Sequence, residues 1–144
     1  MKLNGTHKFA THSAQVFSAI LNPEVLKASI PGASSVRYVD PSNLFVEIST
    51  SLPGLRGPYG LTISIPRQQA PSYVELQLVR QGRGGSINAL AQISLADEAD
   101  GTLLTYTANA ELEGAVAVAN NPLGQGIVKN QLSSFFKNLE KNIA

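Results

Sequence analysis

The sequence contains no cysteine, which removes disulfides, thiolate nucleophiles and cysteine metal sites, and leaves the redox compartment open. It is also short of charge. Charged residues make up 15% of the chain, against about 25% in an ordinary domain, so the polar surface must be built mainly from Ser, Thr, Asn and Gln. Neither sign of charge dominates: eleven basic and ten acidic residues leave +1 at pH 7, a balance with no electrostatic footprint for nucleic acid or for acidic membranes. No run approaches the roughly 18 uninterrupted apolar residues that a membrane span needs. Met1–Phe9 offers too short an apolar run between Lys2 and His7–Lys8 to resemble a signal peptide. The expected location is the cytoplasm.

At 144 residues the chain is expected to form one domain, 1–144. A chain of this size buries roughly 68–70% of its unfolded surface, enough to fold without metal or disulfide. Leu3, Gly5, His7 and Phe9 alternate with polar residues and predict a strand over 3–10. Thr11 or Ser13 can cap a short helix over 14–21. Asn22-Pro23 starts a second, which stops before Pro31-Gly32. From Ser34 the period changes to two. Strands are predicted over 36–40, 44–51, 59–65, 74–79, 87–95 and 103–112, punctuated by Asp40-Pro41-Ser42-Asn43, the Pro- and Gly-rich 53–58, Gly82-Arg83-Gly84-Gly85 and Asp97–Gly101. After Gly114 the pattern turns helical, with Val128, Leu132, Phe135, Phe136, Leu139 and Ile143 on one stripe and Lys129, Lys137 and Lys141 opposite.

This order implies an α+β protein: an antiparallel sheet of six or seven strands covered by one long C-terminal helix, with two short helices after the first strand. A single helix about 10 Å wide cannot fill the hollow of such a sheet. The space left over is expected to be apolar. Strand parity and the helix stripe select Val46, Ile48, Leu61, Ile63, Leu76, Leu78, Ala91, Ile93, Tyr106, Ala108, Val128, Leu132 and Phe135 as its lining. The small residues Ala89, Ala91, Ala108 and Ala110 either leave volume unfilled or let the helix approach closely. Tyr106 reads as core packing or as a polar handle inside a pocket. The segment carrying Leu52, Leu55, Arg56 and Tyr59 should lie at the surface, as a gate or docking edge, unless Leu55 tucks under it as a plug.

Catalytic patterns are missing. His7 and His12 have no carboxylate near them in sequence, short of the three or four ligands a metal needs. Glu47 and Glu75 sit opposite the apolar alternation and read as solvated carboxylates rather than an acid/base pair. Gly82–Gly85 leads into a strand, where a phosphate cradle leads into a helix. No nucleophile elbow occurs. No metal, cofactor or catalytic residue is expected.

Asn22-Pro23-Glu24-Val25-Leu26-Lys27-Ala28-Ser29-Ile30-Pro31-Gly32 resembles the D/N-P-E-x-L-x-x-C/S-I-P-G signature of proteins like the G-subunit of carbon monoxide dehydrogenase. These belong to the START-like, polyketide-cyclase-like (SRPBCC) superfamily. Pro53-Gly54-Leu55-Arg56-Gly57 is similar to the family's V-G-P-V-K-G. Gly82-Arg83-Gly84-Gly85 with Ala89-x-Ala91, Gly101-Thr102-x-Leu104-x-Tyr106 and Phe135-Phe136-x-x-Leu139 extend the resemblance from about 3 to 142. It implies a helix-grip fold and a non-enzymatic protein that holds a small hydrophobic, lipid- or quinone-like ligand. It further implies an accessory or recruitment role beside a molybdenum hydroxylase of the carbon monoxide dehydrogenase type, with a peripheral place at the inner membrane face through that partner. A cyclase- or hydrolase-like enzyme and a pure interaction module with a filled core are the alternatives. The run Gly114–Gly124 departs from the family's G-G-x-L-A-x-L-G, and the membrane-anchoring tail of some members is not expected beyond Ala144.

Overall fold

The computed structural model describes residues 1–50 and 54–143. The chain runs β1 (Lys2–Phe9), α1 (Ser13–Ile20), α2 (Pro23–Ser29), β2 (Ala33–Asp40), β3 (Asn43–Ile48), β4 (Tyr59–Ser64), β5 (Gln68–Gln69), β6 (Tyr73–Arg80), β7 (Ser86–Glu98) and β8 (Gly101–Glu113). A 3₁₀ segment, Gly114–Asn120, then leads into α3 (Pro122–Ile143). The sheet order is β1-β8-β7-β6-β4-β3-β2, with β5 beside β6. Every pairing is antiparallel. Seven strands form the main ladder, and the two-residue β5 adds an eighth that no alternation in the sequence announces.

Helix starts follow local chemistry at two of three places. Asn22 Oδ1 accepts the N–H groups of Glu24 and Val25 at 2.9 and 3.4 Å, and Pro23 is the first helical residue of α2. Asn121-Pro122 repeats the device at α3, where Asn121 Oδ1 accepts the N–H of Gly124 at 2.7 Å. Helix α1 differs from expectation. His12 occupies its cap position without a side-chain bond. Asp97, at the end of β7, instead accepts the Ser13 N–H at 3.1 Å and the Ser13 hydroxyl at 3.0 Å. The cap comes from a carboxylate distant in sequence, which neither Thr11 nor Ser13 supplies.

Two apolar clusters form between sheet and helices. The first gathers Phe9, Val16, Phe17, Ile20, Ile93, Leu104, Phe136 and Leu139, where α1 and the second half of α3 cross β1, β7 and β8. The second gathers Leu26, Leu44, Val46, Ile48, Leu61, Ile63 and Val116 around β3, β4 and α2. Leu76 and Phe135 pack against both. Asn138 of α3 donates to the Ser29 carbonyl at 3.1 Å and so satisfies an otherwise orphaned acceptor at the end of α2.

Glu75 corrects the sequence reading. It stays on the outer face, yet only 7% of it is exposed. The Tyr73 hydroxyl donates to its carboxylate, and the returning segment before β5 places the Arg67 carbonyl on its N–H at 2.8 Å. Glu47 is exposed.

The Ser13 bonds hold the Asp97 carboxyl below the usual carboxylate range, with a smaller contribution from His12. A depressed native pKa gives stability that is present above the unfolded value, about 3.9, and is lost as pH falls through the native value. Asp97→Asn is therefore expected to unfold at lower denaturant than the parent at pH 7. In urea titrations the gap should narrow progressively below about pH 4.

Candidate ligand-binding site

An apolar cavity of about 270 Å³ lies between the sheet and α3, at the seam of the two clusters. All thirteen residues selected by parity line it: Val46 and Ile48 from β3, Leu61 and Ile63 from β4, Leu76 and Leu78 from β6, Ala91 and Ile93 from β7, Tyr106 and Ala108 from β8, and Val128, Leu132 and Phe135 from α3. Leu76, Leu78, Ala91, Ala108, Leu132 and Phe135 are only half-buried although they face inward. Their free surface is the cavity wall.

The volume has a local cause. Ala91 and Ala108 stand directly opposite each other on β7 and β8, and Leu76 and Leu3 continue that row on β6 and β1. Two methyl groups at the middle of the row leave a gap that α3 above does not close. Exposed Thr50 and Gln131 also line the cavity, together with half-buried Ile30 and Pro31. The mouth therefore lies between the first half of α3 and the Ile30-Pro31-Gly32 turn. Gly32 fixes that turn at φ +78°, and a Cβ there would stand 2.3 Å from Thr50 Oγ1. Its carbonyl accepts the Ser49 N–H at 2.9 Å, pinning the turn to the end of β3.

Polar groups are few. Tyr106 is buried, and its hydroxyl end lies over Gly5, where a Cβ would stand 2.9 Å from the oxygen. Its ring packs 5.3 Å from that of Phe136, and burial pushes its hydroxyl above the usual phenol value. Burial also pushes the Tyr59 hydroxyl up to about 12, with nearby Arg80 pulling weakly the other way. No group of three metal-ligating side chains occurs among the described residues. His7 points inward against Phe9 and Phe136, with Nε2 3.6 Å from Glu140 of α3. The fold thus supplies the carboxylate neighbour that the sequence around His7 lacks.

The lining also includes Ile20, Leu26, Leu44, Tyr59 and Phe136. Leu44 shares parity with Val46 and Ile48, and Phe136 belongs to the α3 stripe, so both were within reach of the same reasoning. Ile30 and Pro31 carry no periodic signal.

The expected surface segment behaves differently. Leu52 lies outside the described residues. Arg56 is exposed, but Leu55 is only 3% exposed and joins the second cluster, while Tyr59 is buried in β4. Of the two readings left open for Leu55, the plug matches its position. The reason is long-range: the β6–β7 hairpin places Gly84 against the Leu55 side chain and bonds its carbonyl to the Val116 N–H at 2.9 Å.

The family model for CoxG, the G-subunit of carbon monoxide dehydrogenase, matches residues 5–144. The chain belongs to the CoxG family. A conserved protein from Geobacillus kaustophilus superposes on this CoxG-family chain with a TM-score of 0.91 at 26% identity, covering 99% of this chain and 95% of its own. A START superfamily protein from Mycobacterium smegmatis gives 0.72 at 17% identity, covering 99% and 96%. Ara h 8.0201 gives 0.74 at 13% identity, covering 99% and 97%. These last two likenesses bear on the fold, which is the START-like helix grip. No curated protein matches the sequence.

Leu55→Ser is expected to lower stability by about 2 kcal/mol or more, because it strips a buried aliphatic side chain. Chemical denaturation checks it; a loss of only a few tenths would place Leu55 at the surface.

Proposed function

We propose that this CoxG-family protein is a non-enzymatic carrier or sensor of a small hydrophobic molecule, held in the cavity between the sheet and α3. One observation carries this reading. Inward-facing aliphatic side chains keep free surface around about 270 Å³, and an apolar cavity of about 150 Å³ already stays dry and admits a benzene-sized guest. The thirteen parity-selected residues are the proposed contacts. The lining contains no carboxylate, imidazole or amine among the described residues, so a hydrolase- or cyclase-like reaction has no general acid or base there beyond two tyrosines held above their usual pKa.

The family's name supports an accessory role beside carbon monoxide dehydrogenase; the partner proposed is a molybdenum hydroxylase of that type, and the apolar lining suits a lipid- or quinone-like molecule as cargo. No helix among the described residues is long and apolar enough to cross a membrane, and the place proposed for the chain is peripheral, at the inner membrane face through that partner.

Ala91→Trp fills the middle of the cavity with an indole, and Ala108→Leu narrows it more gently. Both are expected to keep the far-ultraviolet circular dichroism of the parent. Ala91→Trp should weaken binding of the fluorescent probe anilinonaphthalene sulfonate by roughly tenfold or more, and Ala108→Leu by less. Unchanged binding in both variants would place the ligand elsewhere.

A further inference from the structure

The two sides of the cavity mouth are held unequally. The Ile30-Pro31-Gly32 turn is pinned to the end of β3, where the Gly32 carbonyl accepts the Ser49 N–H at 2.9 Å and the Ser49 hydroxyl at 3.0 Å. The opposite side is the start of α3. From 122 to 127 the one buried residue is Gly124, which has no side chain to bury. Leu123 and Ile127, at 78 and 41% exposure, face solvent and belong to neither core cluster. The first apolar side chain of α3 that faces inward is Val128, at the cavity wall.

Local bonds tether this start. Asn121 Oδ1 accepts the Gly124 N–H at 2.7 Å, the Asn121 carbonyl accepts the Gln125 N–H at 2.9 Å, and the Gln125 side chain donates to the Asn120 carbonyl at 2.6 Å. These partners stand just ahead of the helix and outside the sheet. No acidic residue occurs from 114 to 139, so the first turns of α3 carry none of the negative charge that favours a helix start. The two glycines of the segment differ. A Cβ on Gly124 would stand 2.5 Å from Ala119 Cα, so close packing imposes that glycine. Gly126 has nothing within 4 Å of the place its Cβ would take, and its backbone is ordinary helix. An alanine would fit there without strain. What glycine contributes at 126 is a helix that unwinds easily, since only proline favours the helix less.

We propose that residues 122–127 are the gate of the cavity: the segment unwinds about Gly126 while the rest of α3 stays docked, lifting Val128 from the wall and widening the mouth toward the fixed Ile30-Pro31-Gly32 turn. The gate rests on the reading of the cavity as a ligand site and adds the route and the rate-setting step by which that site is loaded. Unwinding gives up little apolar burial, because Leu123 and Ile127 are already exposed, and segments of that kind open far more often than a core does. Past Val128 the helix is held by Leu132, Phe135, Phe136 and Leu139 in the first cluster and by Asn138 on the Ser29 carbonyl. Opening therefore stops at the cavity and leaves the grip of α3 on the sheet intact.

The test pairs stopped-flow mixing of the full chain and anilinonaphthalene sulfonate with hydrogen exchange of the α3 amides in the absence of any ligand. In the parent, amides 125–129 should exchange faster than amides 135–139. Gly126→Ala should slow that exchange, and slow both uptake and release of the probe, each by roughly fivefold, the factor that corresponds to the difference in helix propensity between the two residues. The equilibrium affinity should not change. Asn121→Ala, which removes the cap, should speed exchange, uptake and release. Ser134→Ala, on the exposed side of α3 past the gate, should leave uptake and release at the parent's rates. Parental rates in Gly126→Ala, or equal slowing in Gly126→Ala and Ser134→Ala, overturn the gate, while saturable binding of the probe leaves the carrier reading standing. A parent that takes up no probe overturns the carrier reading and the gate with it.

Discussion

A seven-strand antiparallel ladder curls farther than one helix can cover, and the internal organisation of this protein follows from that mismatch. Helix α3 is 22 residues long, or about 33 Å at 1.5 Å per residue, long enough to cross the sheet but too narrow to fill it. The core therefore divides. Aromatic residues of α3, with α1, close one end, and the α2 region closes the other. Between them the facing pair Ala91 and Ala108 lowers the floor of the sheet by the volume of two large side chains. Leu76 and Phe135 touch both halves and keep them continuous.

The border of the cavity is held by a few specific backbone contacts. The Ile30-Pro31-Gly32 turn joins α2 to β2, and each residue has a separate task there. Ile30 packs on the second cluster, Pro31 lines the mouth, and Gly32 takes a left-handed conformation against Thr50 that a side chain would obstruct. Helix α2 is pinned at both ends, by Asn22 at its start and by Asn138 of α3 at its last turn. The most recognisable stretch of the sequence is thus the piece of backbone that frames the entrance.

Strand parity and the helix stripe carry most of the site because both faces of the problem are periodic: a half-buried strand repeats every two residues and α3 every 3.6. A one-residue slip would have inverted a whole strand, and the alternation of Leu61 and Ile63 with Thr62 and Ser64 left no room for one. What the sequence hid was contact across distance. Asp97 caps α1 from the far end of β7, Glu140 of α3 meets His7 of β1, and Gly84 of a hairpin tip meets Leu55 of a loop. Each needs two segments to be placed before either is informative. The two-residue β5 and the enclosure of Glu75 were invisible for a related reason, since a strand that short has no period.

A carrier or sensor of this design requires the space above Ala91 and Ala108 to be open to an apolar guest. Methyl-resolved nuclear magnetic resonance of the full chain titrated with cyclohexane measures this directly. The methyl signals of Leu61, Ile63, Leu76, Leu78, Ile93 and Leu132 are expected to shift together with one binding curve, while those of Val16 and Val116, which lie in the clusters and off the cavity wall, stay in place. No shift at saturating cyclohexane, or shifts confined to Val118, Leu123 and Ile127, would show that the interior is filled and contradict the account.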